Sequence, residues 1–87
     1  MDPTGMLTTL GERVLTARKN RGLTQAQVAE RARVSRRSVI DVESGRENVA
    51  IGIYARVLSA LGMDIRTEVA RRPTLAEARA RFDPDRG

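Results

Sequence analysis

Apolar residues along this chain recur with the period of an amphipathic helix, in separate blocks. Leu10, Val14 and Ala17 share one face, as do Val28, Ala29 and Ala32 in the next block. Ile51, Tyr54, Val57, Leu58 and Leu61 then follow at i, i+3, i+6, i+7 and i+10. Start and stop signals frame these blocks. Thr9-Leu10-Gly11-Glu12 has Thr at a cap position and Glu three residues later, and Gly22 closes the run, which predicts a helix over 9–20 after a loose, flexible start at 1–8. Thr24-Gln25-Ala26-Gln27 repeats the pattern and predicts a short helix over 24–32. Ser35 can cap a third helix, in which Val39 and Val42 share a face and Gly45 is the stop. Gly45-Arg46-Glu47-Asn48 reads as a loop, and a fourth helix runs over 50–61 to its stop at Gly62.

Beyond Gly62 the period changes. Asp64-Ile65-Arg66-Thr67-Glu68-Val69 alternates polar with apolar or β-branched residues, a strand pattern. A lone strand cannot satisfy its own backbone, and this chain offers no second one. The economical partner is the same segment of a second copy, paired across a two-fold axis. The segment 63–70 is therefore expected to be a dimerisation strand, with Ile65, Thr67 and Val69 as its pairing residues. Arg72-Pro73 breaks the chain, and Thr74-Leu75-Ala76-Glu77 is a further capping box. A short helix over 75–82 with Leu75, Ala78 and Phe82 on one side is expected within a tail at 71–87. Only Arg33 and Val34 separate the second and third helices, and two short helices on so tight a turn form a helix-turn-helix.

Composition narrows the chemistry. With 87 residues the chain suits one domain, and so small a core often gains stability from dimerisation. There is no Cys and no His, so disulfides, thiolate metal sites and Ser–His or Cys–His nucleophiles are excluded. No enzymatic activity and no cofactor are expected. Sixteen basic residues face eleven acidic ones, for a net charge of +5, and all the basic residues except Lys19 are Arg. Arginine binds phosphate bidentately and reads guanine edges, which fits nucleic acid; a solvated surface or Arg-rich codon usage would give the same count. No apolar run approaches membrane-spanning length, and Met1 to Gly5 do not look like a signal peptide. The expectation is a cytoplasmic protein without a membrane partner.

The segment Leu23-Thr-Gln-Ala-Gln-Val-Ala-Glu-Arg-Ala-Arg-Val-Ser-Arg-Arg-Ser-Val-Ile-Asp-Val-Glu-Ser-Gly45 resembles the lambda-repressor/Cro-like helix-turn-helix family. Leu10-Gly11-Glu12-Arg13 and Arg18 before it, and Leu58-Ser59-Ala60-Leu61-Gly62 after it, extend the resemblance to about residues 9–62. The fold class it implies is all-α, a compact five-helix, lambda-repressor-like DNA-binding domain, here followed by the C-terminal strand.

The resemblance also implies roles. In that family the second of the paired helices lies in the major groove. Arg36 and Arg37, in the first turn after Ser35, would then face base edges, where Arg suits guanine, or else touch only phosphates. Asp41 can accept from cytosine N4 or orient Arg37 one turn away. Thr24 and Gln25 at the start of the second helix are placed on the DNA backbone, where free N–H groups favour phosphate. Ser44, Arg46 and Asn48 would grip neighbouring phosphates, with capping of the fourth helix as the other reading of Asn48. Arg18 and Glu43 correspond to a structural ion pair between the first and third helices. Arg33 departs from the family, which usually has Gly there in a left-handed backbone. Ile40 can pack beneath the third helix or meet a thymine methyl.

The function these residues imply is sequence-specific binding of double-stranded DNA by a transcriptional regulator, a homodimer on a palindromic operator. The strand after the helices is similar to that of HipB-type antitoxins, which repress their own operon and bind a toxin protein; Leu75 and Phe82 are then toxin contacts. The rival classes are a protein-interaction module that uses the helical scaffold and tail without DNA, and an RNA binder. Arg36 and Arg37 count against the first; the scarcity of aromatic residues, only Tyr54 and Phe82, counts against the second.

Overall fold

Asp2 and Pro3 begin the first helix. Asp2 is extended and its Oδ1 accepts the Gly5 N–H at 2.7 Å, while proline's fixed φ suits the first helical position. The computed structural model describes residues 2–69, and among them four helices follow one another: α1 (Pro3–Asn20), α2 (Gln25–Ala32), α3 (Arg36–Glu43) and α4 (Ile51–Ala60). The expected loose start at 1–8 is thus corrected, because helix begins at Pro3 and Thr9 and Glu12 lie inside it. The cause is tertiary. Leu7 packs against the core, and Thr4 Oγ1 donates to Glu47 Oε1 at 3.0 Å, which ties the first turns of α1 to the loop after α3.

α2 and α3 start where their caps place them. Thr24 and Gln27 form a complete capping box, with Gln27 N–H donating to Thr24 Oγ1 at 3.1 Å and Thr24 N–H to Gln27 Oε1 at 2.8 Å. Ser35 accepts the Ser38 N–H at 3.0 Å. α4 has no side-chain cap: its cap residue is Ala50, so Asn48 does not serve that purpose.

The core is small and made largely of valine. Val14, Val28, Val39, Val42, Val57, Leu58 and Leu61 are fully buried, with Ala29, Ala32 and Tyr54 beside them. Such short side chains let helices approach closely. The closest approach is at Gly11, where an added Cβ would lie 2.6 Å from the Glu43 carbonyl oxygen and 2.7 Å from that of Val42. At Gly45, which has φ +70°, a Cβ would meet the Leu7 carbonyl oxygen at 2.8 Å. α1 therefore crosses the C-terminal end of α3 with backbone against backbone. Ile51 was expected on the buried stripe of α4, but it is 73% exposed. It occupies the first position of α4, outside the cluster into which Tyr54, Val57 and Leu58 pack.

No strand is present among the described residues, and 63–69 carries neither helix nor ladder. The reason lies in the backbone: one copy of the segment has no partner for its N–H and C=O groups. The five-helix domain implied by the resemblance is corrected to four helices among the described residues, because only four helical blocks precede Gly62; the expected short helix at 75–82, with Leu75, Ala78 and Phe82, lies outside those residues.

Arg33 is the one non-glycine among the described residues with positive φ, at φ 56°, ψ 47°, a left-handed conformation disfavoured by its Cβ. Arg33→Gly is expected to stabilise the fold by about 1 kcal/mol, raising Tm by a few degrees in a thermal melt. Gly11→Ala should destabilise by ~1–3 kcal/mol despite alanine's helix propensity, because the obstructing atoms are backbone. Gly52→Ala in α4, where an added Cβ meets nothing within 4 Å, should instead stabilise by about 1 kcal/mol. Equal melts for the two alanine variants would contradict the close crossing of α1 and α3.

Candidate nucleic-acid interface

The turn between α2 and α3 is set by backbone hydrogen bonds. Val34 N–H donates to Ala29 O at 3.0 Å and Arg33 N–H to Glu30 O at 3.3 Å, closing α2 through the left-handed Arg33. Ser35 then restarts the helix within one residue. α3 turns Val39 and Val42 inward, which puts Arg36 and Arg37 on its exposed side at the leading turn, while Ile40 is half-buried. Arg36 also borders an open cleft of about 320 Å³, lined with Arg18, Thr24 and Gln25 at the start of α2. The first N–H groups of α2 have no intrahelical partner, and one is taken by Thr24, so a partial positive charge faces this cleft.

Glu43 is the hub behind this surface. Arg18 Nε donates to Glu43 Oε2 at 2.6 Å and Arg18 Nη2 to Glu43 Oε1 at 3.2 Å, while Arg18 Nη1 donates to Leu23 O at 2.9 Å. Both side chains are largely buried, 12% and 6% exposed. Gln25 Nε2 adds a bond to Glu43 Oε1 at 3.1 Å. Gln25 therefore has one amide proton committed inside the protein and one left for an outside acceptor.

A second carboxylate lies on the outer side of α3. Asp41 Oδ1 is 3.2 Å from Arg37 Nε, one turn away, and 3.5 Å from Arg46 Nε in the following loop. The Arg46 N–H also donates to Asp41 O at 3.0 Å, and the Tyr54 hydroxyl donates to Arg46 O at 2.7 Å. Burial pushes the Tyr54 phenol above its ordinary pKa, and the charge on Asp41 adds to the shift. Ser44 is the exposed C-cap of α3, and Asn48 is exposed in the loop.

Of the residues singled out from the sequence, the structure brings Thr24, Gln25 and Arg36 to one cleft, and Arg37, Asp41 and Arg46 to one cluster. Ile65, Thr67 and Val69 are exposed on the segment after α4, away from α3 in sequence. Sequence reasoning missed the Gln25–Glu43 bond, the Asp41–Arg46 contact and the Tyr54–Arg46 bond. All three cross a turn or loop, where helical spacing gives no signal.

Residues 9–72 match the family model described as a helix-turn-helix domain. The immunity repressor protein of Bacillus phage phi105 is 35% identical over 75 residues, 86% of this chain and 52% of the repressor, so the chain spans about half the length of that relative. An uncharacterized HTH-type transcriptional regulator of Methanothermobacter thermautotrophicus is 40% identical over 47 residues, 54% of this chain and 68% of the regulator. Among solved structures, one described as MDT Protein superposes with a TM-score of 0.69 at 18% identity, covering 82% of this chain and 94% of its own. A chain of the HipA-HipB-O2-O3 complex gives 0.69 at 17% identity, with the same coverage of 82% and 94%. These two likenesses are of fold.

Removing Glu43 leaves the Arg18 guanidinium buried without its counter-charge. Glu43→Ala is expected to cost about 3 kcal/mol or more in denaturant unfolding, and adding Arg18→Met should recover part of that loss. Parent-like melts for both variants would show that the pair does not hold α1 to α3.

Proposed function

The chain belongs to the helix-turn-helix domain family over residues 9–72, and from that membership we propose that it is a sequence-specific, double-stranded DNA-binding transcriptional regulator that acts as a repressor. The observation that carries the reading is the outward display of Arg36 and Arg37 on the leading turn of α3, beside the positively polarised start of α2. α3 enters the major groove. Arg36 and Arg37 approach base edges, and guanine N7 and O6 are the acceptors that fit them. Thr24, Gln25 and Ser35, at the starts of α2 and α3, and Ser44, Arg46 and Asn48, after α3, hold the flanking phosphates and fix the register. The name of the phage relative supports repression as the outcome.

The finer reading is a homodimer on a palindromic operator whose half-sites lie about one turn of DNA apart, ~34–36 Å. Ile65 and Val69 are 45% and 54% exposed on a segment whose backbone has no ladder, and pairing it with a second copy would satisfy that backbone and set Ile65, Thr67 and Val69 beside their counterparts on one face. The fold shared with a chain of the HipA-HipB-O2-O3 complex supports a narrower version, an autoregulating antitoxin that binds a toxin protein and works in the cytoplasm. Among the described residues no helix is long and apolar enough to cross a membrane. A protein-interaction module without DNA gives no reason for two adjacent, exposed arginines on the leading turn of α3, of which only Arg37 is paired within the chain among the described residues.

The test is selection of duplexes from a random-sequence library, followed by affinity measurements across a salt series. Log affinity is expected to fall linearly with log salt. Arg36→Ala or Arg37→Ala should lose ~1–3 kcal/mol on selected duplexes and much less on random ones. Gln25→Ala should weaken both alike. Equal losses on selected and random duplexes for both arginine variants would reject base reading by α3.

A further inference from the structure

The Asp41 cluster has an electrostatic peculiarity. Asp41 Oδ1 is almost completely screened from solvent and accepts no hydrogen bond, although two arginines lie near it. Arg37 Nε at 3.2 Å and Arg46 Nε at 3.5 Å approach it by charge, at geometries that do not make hydrogen bonds. A carboxylate neutralised by two cations becomes an uncompensated negative charge if both leave, which is unfavourable beside a polyanion. Both can leave: the Arg37 and Arg46 side chains are 67% and 57% exposed, whereas Asp41 is 22% exposed. The main chain that carries Asp41 is also anchored to the loop. The Asp41 backbone oxygen holds the Arg46 N–H, and the Arg46 carbonyl is held by Tyr54 from α4, so Asp41 and the loop cannot easily separate.

We infer that Asp41 is a specificity-determining residue, which couples Arg37 on the groove-facing helix to Arg46 in the phosphate-facing loop by competing with DNA for both. The inference rests on the DNA-binding reading above. On an arbitrary duplex, phosphates draw Arg46 and a groove acceptor draws Arg37, and the Asp41 carboxylate is left unpaired against a polyanion. That penalty opposes binding. A duplex that presents a cytosine N4 amino group to Asp41 supplies the missing donor and releases both arginines without the penalty. One carboxylate thereby suppresses indiscriminate backbone binding by a strongly basic chain and favours sites with a C·G pair beneath α3.

Asp41→Asn keeps the shape and removes the charge. Against the unselected random-sequence duplex library, the variant should bind more tightly than the parent. Its plot of log affinity against log salt should steepen by about 1, at ~0.9 for the one phosphate contact that Arg46 gains. The ratio of selected to random affinity should fall on the order of tenfold, as when one base contact is lost. Placing Asp41→Asn in an Arg37→Met/Arg46→Met background should abolish both effects. Melting curves establish that each variant is folded, and Asp41→Ser replaces Asp41→Asn if the latter melts broadly. An unchanged ratio and slope in a folded Asp41 variant would overturn the assignment while leaving DNA binding intact. So would effects that persist without the two arginines, since Asp41 would then act only as a general negative charge. A parent protein that enriches no sequence from the library would reject the underlying reading instead.

Discussion

What α3 can present to a partner depends on how firmly it is held, and the Glu43 carboxylate is where three helices meet to hold it. Arg18 reaches it from α1 and Gln25 from the start of α2, while Arg18 also secures the Leu23 carbonyl between those two helices. The valine and alanine core supplies cohesion, but apolar contact has little direction and would tolerate small rotations of a two-turn helix. A two-pronged guanidinium–carboxylate contact does not tolerate them, because both bonds lengthen or bend when either helix turns. The backbone contact at Gly11 acts in the same place, since α1 rests on the carbonyls of Val42 and Glu43 themselves. Steric contact fixes the distance between α1 and α3, and the ion pair fixes their orientation.

The sequence made local features legible and left non-local ones hidden. Thr24, Gln27 and Ser35 carry caps whose partners lie three residues away, so their helices begin where the pattern places them. The start of α1 was misread because two capping signals, Asp2-Pro3 and Thr9 to Glu12, lie in tandem. The choice between them depends on Thr4 and Leu7 meeting residues some forty positions later, which no local rule contains. Ile51 shares the helical phase of Leu58, but phase says nothing about where the core stops. At the site, the outward placement of Arg36 and Arg37 follows from the inward one of Val39 and Val42, and Arg37 and Asp41 are one turn apart. The second arginine on Asp41 arrives through a loop, and its position depends on Tyr54.

Arg33 shows a conflict between local and surface demands. Its left-handed backbone would suit glycine, yet the turn accepts a long cation there. Its side chain borders an open groove between the end of α2 and α4 together with Arg31 and Arg56, so the basic character of the molecule is not confined to α3. Cations near the end of α2 also complement the partial negative charge of that terminus, which offsets part of the backbone cost.

Tyr54 is the sole tyrosine of a chain that has no tryptophan. Its ring belongs to the core, and its hydroxyl is bonded to the main chain of the loop after α3. Near-ultraviolet absorbance and intrinsic fluorescence of the free protein are therefore dominated by one chromophore at the junction of interior and loop. A spectral change on adding a transparent ligand would report on that junction alone, so the molecule carries its own optical probe, with no label to attach.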